Sequence, residues 1–177
     1  YMSDKKRCLM IGAGGMASGW IHHFYPRFND RHEIVALVDV DTNVLNNAGD
    51  FLGLAANRRY TDMETAFNEV EADYCTIVIP PAYHKDAVLL AADKKMDILS
   101  EKPIADTWDA CLKIYQAVKQ AGVKMHVIQN YRYSQRILTM RQVLRDGTLG
   151  RINYIMGRFG ADYREYGAWG AFRHEIP

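Results

Sequence analysis

The sequence is short of the residues that mark several protein classes. Its 177 residues include only three cysteines, Cys8, Cys75 and Cys111, and no C-x-x-C pair. That odd count and spacing exclude a disulfide framework and a cysteine-built metal or redox site. Cys8 and Cys75 fall in apolar runs, where a reduced thiol packs as a small hydrophobe, and a reducing cytoplasm is the expected setting. No stretch approaches the ~20 apolar residues of a membrane span. Met2-Ser3-Asp4-Lys5-Lys6-Arg7 leads into a short apolar run, not the long one of a secretory leader. A dominant charge sign is missing too, with 22 Lys and Arg against 21 Asp and Glu. A nucleic-acid or anionic-membrane surface needs a clustered basic excess, so neither partner is expected. There is no internal repeat or low-complexity stretch, and no metal-ligand spacing.

What is present is ample apolar material, 49% of the chain. It gathers in five runs: Cys8–Ile11, Ile34–Val38, Tyr74–Ile79, Ile98–Leu99 and Met125–Ile128. These are continuous rather than alternating, as in strands buried on both faces of a parallel sheet. Helical spacing separates them. Residues Thr107 to Ala121 place Ala110, Ile114, Ala117, Val118 and Ala121 on one face, with Asp106 or Thr107 as cap and Gly122 as stop. A second helix is predicted over Tyr83 to Lys94, after Pro80-Pro81. Strands alternating with helices to residue 128 give a Rossmann-type, doubly wound α/β fold with a parallel sheet. Beyond Ile128 the texture changes, with a helix over Ser134 to Arg145, a strand from Arg151 to Phe159, and a Gly-, Tyr- and Trp-rich tail. Residues 129–177 are too few for a comfortable lone domain, so they read as the start of a second α+β domain after a nucleotide-binding domain at 1–128.

Gly12-Ala13-Gly14-Gly15-Met16-Ala17 follows the first strand and opens a helix, fitting G-x-G-x-x-A. Gly12 permits the turn, Gly14 lets a pyrophosphate approach the backbone, and Ala17 keeps helix and strand close. Amides at the helix start then meet the phosphates. A turn without a ligand is the bland alternative, and the position after strand one weighs against it. Asp39, at the end of the second strand, lies 25 residues beyond Gly14, where an acid receives the adenosine ribose hydroxyls. A carboxylate there repels a 2′-phosphate, no Lys or Arg adjoins it, and Asp41 adds negative charge. NAD is therefore expected in preference to NADP, with Asp41 left to cap the next helix.

Two later turns also end strands. Pro80-Pro81-Ala82-Tyr83-His84 should border the ligand, since open α/β sheets bind beyond the strands' carboxyl ends. His84, with no triad or metal partner, reads foremost as a structural residue on the first turn of a helix. Ser100-Glu101-Lys102-Pro103 places a carboxylate and an ammonium at the end of the next strand. A lysine beside a nicotinamide can hand a proton to a substrate oxygen, and Pro103 stiffens the turn that aims it. Taken alone, the pair also reads as a solvated charge pair.

Together these motifs resemble the Gfo/Idh/MocA family, which includes glucose–fructose oxidoreductase and inositol dehydrogenases. The resemblance rests on Gly12 to Ala17, Asp39, Pro80 with His84, and above all Glu101-Lys102-Pro103. It continues through Asn130-Tyr131-Arg132-Tyr133 and Gly147-Thr148-Leu149-Gly150-Arg151-Ile152. It implies a Rossmann domain followed by a domain with an open sheet, a homo-oligomer, and sugar or polyol substrates oxidised at a secondary hydroxyl. Carried over by position, Lys102 would be catalytic and Glu101 would meet the nicotinamide ribose. Gly12, Gly14, Gly15, Met16, Asp39, Ile79, Pro80, His84, Lys102 and Arg132 would complete the cofactor contacts. Two departures stand out. Pro81 replaces a frequent asparagine, and the family's further catalytic aspartate and histidine would lie beyond Pro177. The expected function is an NAD-dependent oxidoreductase, with this chain inactive by itself. The alternatives are a non-catalytic dinucleotide sensor or scaffold, an NAD-dependent glycosidase of the same family, and, more weakly, a methyltransferase.

Overall fold

The computed structural model describes residues 5–158. Its centre is a six-stranded sheet made of β1 (Lys6–Ile11), β2 (His32–Val38), β3 (Arg59–Tyr60), β4 (Tyr74–Ile77), β5 (Asp97–Ser100) and β6 (Met125–Val127). The order is β3-β2-β1-β4-β5-β6, and every pairing is parallel. The order reverses between β1 and β4, the switch point of a doubly wound fold, where a crevice opens beyond the strand ends.

Alternate residues of each strand feed two cores, which is why the runs lack a polar stripe. Leu9, Ile11, Ala36, Val38, Cys75, Ile77 and Ile98 pack on one face with Phe67, Val88 and Ile114. Met10 and Leu37 pack on the other with Ala17, Ile21 and Leu45. The first core is closed by α3 (Met63–Glu69), α4 (His84–Asp93) and α5 (Trp108–Ala121); the second by α1 (Gly15–Gly19) and α2 (Thr42–Leu52). Each fully buried Leu, Ile or Phe contributes about 1.5–3 kcal/mol, so the two layers together dominate the stability of the sheet.

Local signals start and stop these helices as the sequence indicates. Asp41 caps α2 by accepting from the amides of Asn43 and Val44, and left-handed Gly53 closes it. Thr107 caps α5 through the Ala110 amide, and left-handed Gly122 ends it. Tyr83 belongs to a 3-10 turn, Pro81–Tyr83, that leads into α4. The helix expected after Ser134 is α6 (Gln135–Arg145).

Three readings need correction. β3 and α3 have no signature in the sequence, because a two-residue strand carries no periodicity and α3 spans only two turns. β3 exists by pairing, Leu37 with Arg59 and Val38 with Tyr60. The Tyr74–Ile79 run leaves the sheet after Ile77 as the chain turns towards Pro80. The strand expected from Arg151 is absent over residues 151–158, where Ile152, Tyr154, Ile155 and Met156 stand exposed. A strand exists only through a hydrogen-bonded neighbour, and none of the described residues supplies one. Phe159 and the tail aromatics lie outside the described residues.

Contacts divide the chain into two units, Tyr1–Ile128 and Gln129–Pro177. No helix among the described residues is long and apolar enough to cross a membrane.

Candidate cofactor site

The carboxyl ends of β2, β1, β4 and β5 bring the sequence motifs into one row. Gly12 ends β1 with φ +100°, and a Cβ there would overlap the carbonyl of Val78, at the end of β4. Glycine at this position is therefore required by the fold itself. Gly14 is different. Its backbone is extended (φ −85°, ψ 179°), and a Cβ would sit 3.4 Å from Val44, an ordinary contact. Nothing in the protein demands glycine there, so its missing side chain is best accounted for by something approaching from outside. Beyond it, the first amide bonded back along the chain is Ser18, to the carbonyl of Gly14. The amides of Gly15, Met16 and Ala17 precede that bond and have no intrahelical acceptor. Such a cradle fits a pyrophosphate. Met16 stands exposed beside it.

Asp39 is tied to this turn. Its Oδ2 accepts from the amides of Ala13 (2.8 Å) and Gly14 (3.2 Å), and its Oδ1 from the amide of Asp41 (2.9 Å). One carboxylate thus locks the end of β2 to the glycine turn and leaves an acceptor position open on Oδ1. Arg59, which sequence adjacency does not bring near, stands on β3 beside β2. Its guanidinium is spent on Asp50 (2.7 Å), on the carbonyl of Leu54 and on that of Asn46.

On the other side of the switch point, Glu101 follows β5 and donates its amide to the carbonyl of Ile77 on β4. Its carboxylate receives two donors, the Trp20 indole N–H at 3.1 Å on Oε1 and the Lys102 amide at 3.2 Å on Oε2. Lys102 itself is exposed, and the bond to Pro103 is cis. Ile79 is half-buried and Pro80 exposed.

His84 is fully buried at the start of α4. Its Nδ1 lies 2.9 Å from the carbonyl of Pro103, and its Nε2 lies 2.9 Å from that of Ile79. It therefore bridges the turn after β4 and the Glu-Lys-Pro turn after β5, a structural role in line with its position. Neither ring nitrogen is left to face a ligand. Arg132 sits exposed in the short 3-10 helix Asn130–Tyr133 of the second unit.

Sequence reasoning missed Trp20. It lies in a π-helical turn, Trp20–Phe24, that prolongs α1, and only the contact with Glu101 shows its relevance. Also missed was a polar chain on the sheet face behind it. Tyr25 bonds Thr76 (2.5 Å) and Cys8 (3.0 Å), and Tyr74 bonds Nδ1 of His32 (3.0 Å). Burial pushes the Cys8 thiol and the Tyr25 and Tyr74 hydroxyls up and the His32 imidazole down, so all four are uncharged near neutrality. A concavity of about 660 Å³ lies at the opposite end of the strands among Lys5, Lys6, Arg7, Glu33 and Asp73. Within it Lys6 and Arg7 pair with Asp73. Among the described residues no group of three His, Cys, Asp or Glu could hold a metal.

A family model described as an oxidoreductase family with an NAD-binding Rossmann fold matches residues 6–129, the sheet and all four strand ends. The chain belongs to this family, Gfo/Idh/MocA. Among Gfo/Idh/MocA-like relatives, the uncharacterized protein y4oX of Sinorhizobium fredii is 42% identical over 96% of this chain and 48% of its own length. The D-apiose dehydrogenase of Paraburkholderia graminis is 31% identical over 80% of this chain and 36% of its own length. A crystal structure of an Agrobacterium radiobacter oxidoreductase, in complex with NAD+, L-tartaric acid and magnesium, superposes with a TM-score of 0.74. It is 26% identical and is matched over 83% of this chain and 42% of that one. The chain spans half or less of the length of these relatives.

Proposed function

We propose that this chain holds NAD, in preference to NADP, for an oxidoreductase that acts on a secondary hydroxyl or carbonyl of a sugar or polyol. The reading is carried by one observation: the glycine turn, Asp39 and Glu101-Lys102 occupy neighbouring strand ends across the switch point. From β2 to β5 is three inter-strand steps, about 14 Å, a row along which an extended dinucleotide lies with one ribose near each carboxylate. The dehydrogenase named among the relatives supports the substrate class.

The residues divide the work. The amides of Gly15 to Ala17 receive the pyrophosphate, and Gly14 leaves room for it. Asp39 accepts from the adenosine ribose hydroxyls. Its negative charge, and an Arg59 already bound to Asp50, favour a free 2′-hydroxyl over a 2′-phosphate. Glu101 accepts from the nicotinamide ribose. The cofactor supplies hydride acceptance and donation at the nicotinamide ring. Lys102 stands next in the chain to hold or release the proton of the substrate oxygen.

The test is a fluorescence titration with NADH and NADPH, on the wild type and Asp39→Ala. Because Asp39 also secures the turn, its loss weakens both cofactors, and the informative quantity is their ratio. NADH should bind at least about tenfold tighter than NADPH, a difference of about 1.4 kcal/mol, and the ratio should collapse towards one in the variant. A wild type that prefers NADPH, or a ratio untouched by the mutation, overturns the assignment of Asp39.

A further inference from the structure

We infer that Trp20 is a positioning residue for the cofactor's nicotinamide ribose, acting through Glu101. The inference rests on the reading of Glu101 given above. A glutamate at the end of a strand has three free side-chain torsions, and a carboxylate that must meet two vicinal hydroxyls has to be held in one plane. Two donors do this here: the Lys102 amide fixes Oε2, and the Trp20 indole N–H fixes Oε1 at 3.1 Å. The amide comes with the backbone of the turn. The indole comes from a different element, 81 residues away in sequence.

The indole is itself held. It meets Phe24 edge-on, with ring centroids 5.6 Å apart, and tilts against Tyr25 at 6.3 Å. The π-helical turn that carries it prolongs the helix opened by the glycine turn. A single stretch of chain, Gly14 to Phe24, thus presents amides at one end and, through Trp20, orients the ribose-binding carboxylate at the other. Trp20 touches no reacting atom in this scheme. Its effect is to remove the conformational freedom that Glu101 would otherwise lose on binding. The indole N–H is a donor only, so in this contact Oε1 is the acceptor.

Trp20→Phe tests this, since it removes the N–H and keeps an aromatic ring. Binding is measured for two probes, NADH and ADP; only NADH carries the nicotinamide ribose. NADH should weaken by about tenfold, the scale of one hydrogen bond to a charged group, and ADP by less than about twofold. In a Glu101→Gln background the same substitution should have little further effect on NADH, as expected for two residues acting through one contact. Unchanged NADH binding overturns the inference. So does parallel weakening of ADP, which would make Trp20 a packing residue. If Glu101→Gln binds NADH as the wild type does, the reading of Glu101 fails and this inference with it. If Glu101→Gln weakens NADH while Trp20→Phe does not, only the role of Trp20 falls.

Discussion

Gly12 and Gly14, two residues apart, carry different obligations. The first is demanded by the fold, since its left-handed φ and the nearby Val78 carbonyl leave no place for a side chain. The second has room for a methyl group and an ordinary backbone. Gly12→Ala should therefore lower thermal stability, while Gly14→Ala should melt close to the wild type and lose NADH binding. Calorimetric melting with an NADH titration on both variants checks this. A Gly14→Ala protein that binds NADH normally would mean that no phosphate group approaches this turn. Asp39 shows the reverse combination, because its carboxylate is at once a ligand candidate and a brace. It accepts from three backbone amides that deletion would leave unpaired.

At the level of elements, β2 begins at His32, whose imidazole meets the Tyr74 hydroxyl on β4. Burial lowers its proton affinity below that of an unfolded histidine, with the nearby Asp30 opposing and Arg31 adding slightly. The unfolded chain therefore binds the proton more readily. The contribution is fully present above the unfolded value, near pH 6.5, and is lost as pH falls through the lower folded value. Melting temperatures at about pH 7.5 and pH 5.5 should fall further apart for the wild type than for His32→Gln, which has no proton to gain. Equal differences in the two proteins would remove His32 from the account. The same scale explains why α4 matters to a site that it does not enter. Its first residue, His84, reaches the carbonyls of both Ile79 and Pro103, so α4 sets the spacing of the turns that follow β4 and β5.

For the whole molecule, the matched family region and the first compact unit end at nearly the same place, residue 129 against Ile128. We propose that residues 1–128 act as a nucleotide-binding domain in their own right. A protein cut after Ile128 should then fold and bind NADH within about twofold of the longer chain, less than the ~0.4 kcal/mol such a factor represents. A loss of tenfold or more would instead give the second unit, and Arg132 within it, a share in cofactor binding.

Much of this was legible in the linear sequence. Continuous apolar runs mean strands covered on both faces, so Cys8–Ile11 and Ile34–Val38 announced a doubly wound sheet. The stops and starts at Asp41, Thr107 and Gly122 follow from backbone amides that need acceptors and from left-handed turns that favour glycine. The glycine turn, Asp39 and Glu101-Lys102-Pro103 stand out in the sequence because each motif is local, complete within a few residues at the end of a strand. Tertiary structure decided what depends on partners distant in sequence. β3 is a strand only because β2 lies beside it, and residues 151–158 are not one because no described neighbour pairs with them. Arg59 is bound up by α2, His84 by two separate turns, and Trp20 turns to a carboxylate far along the chain. A hydrogen bond requires two groups to meet, and periodicity along a chain records which face a residue takes, not which group it will meet there.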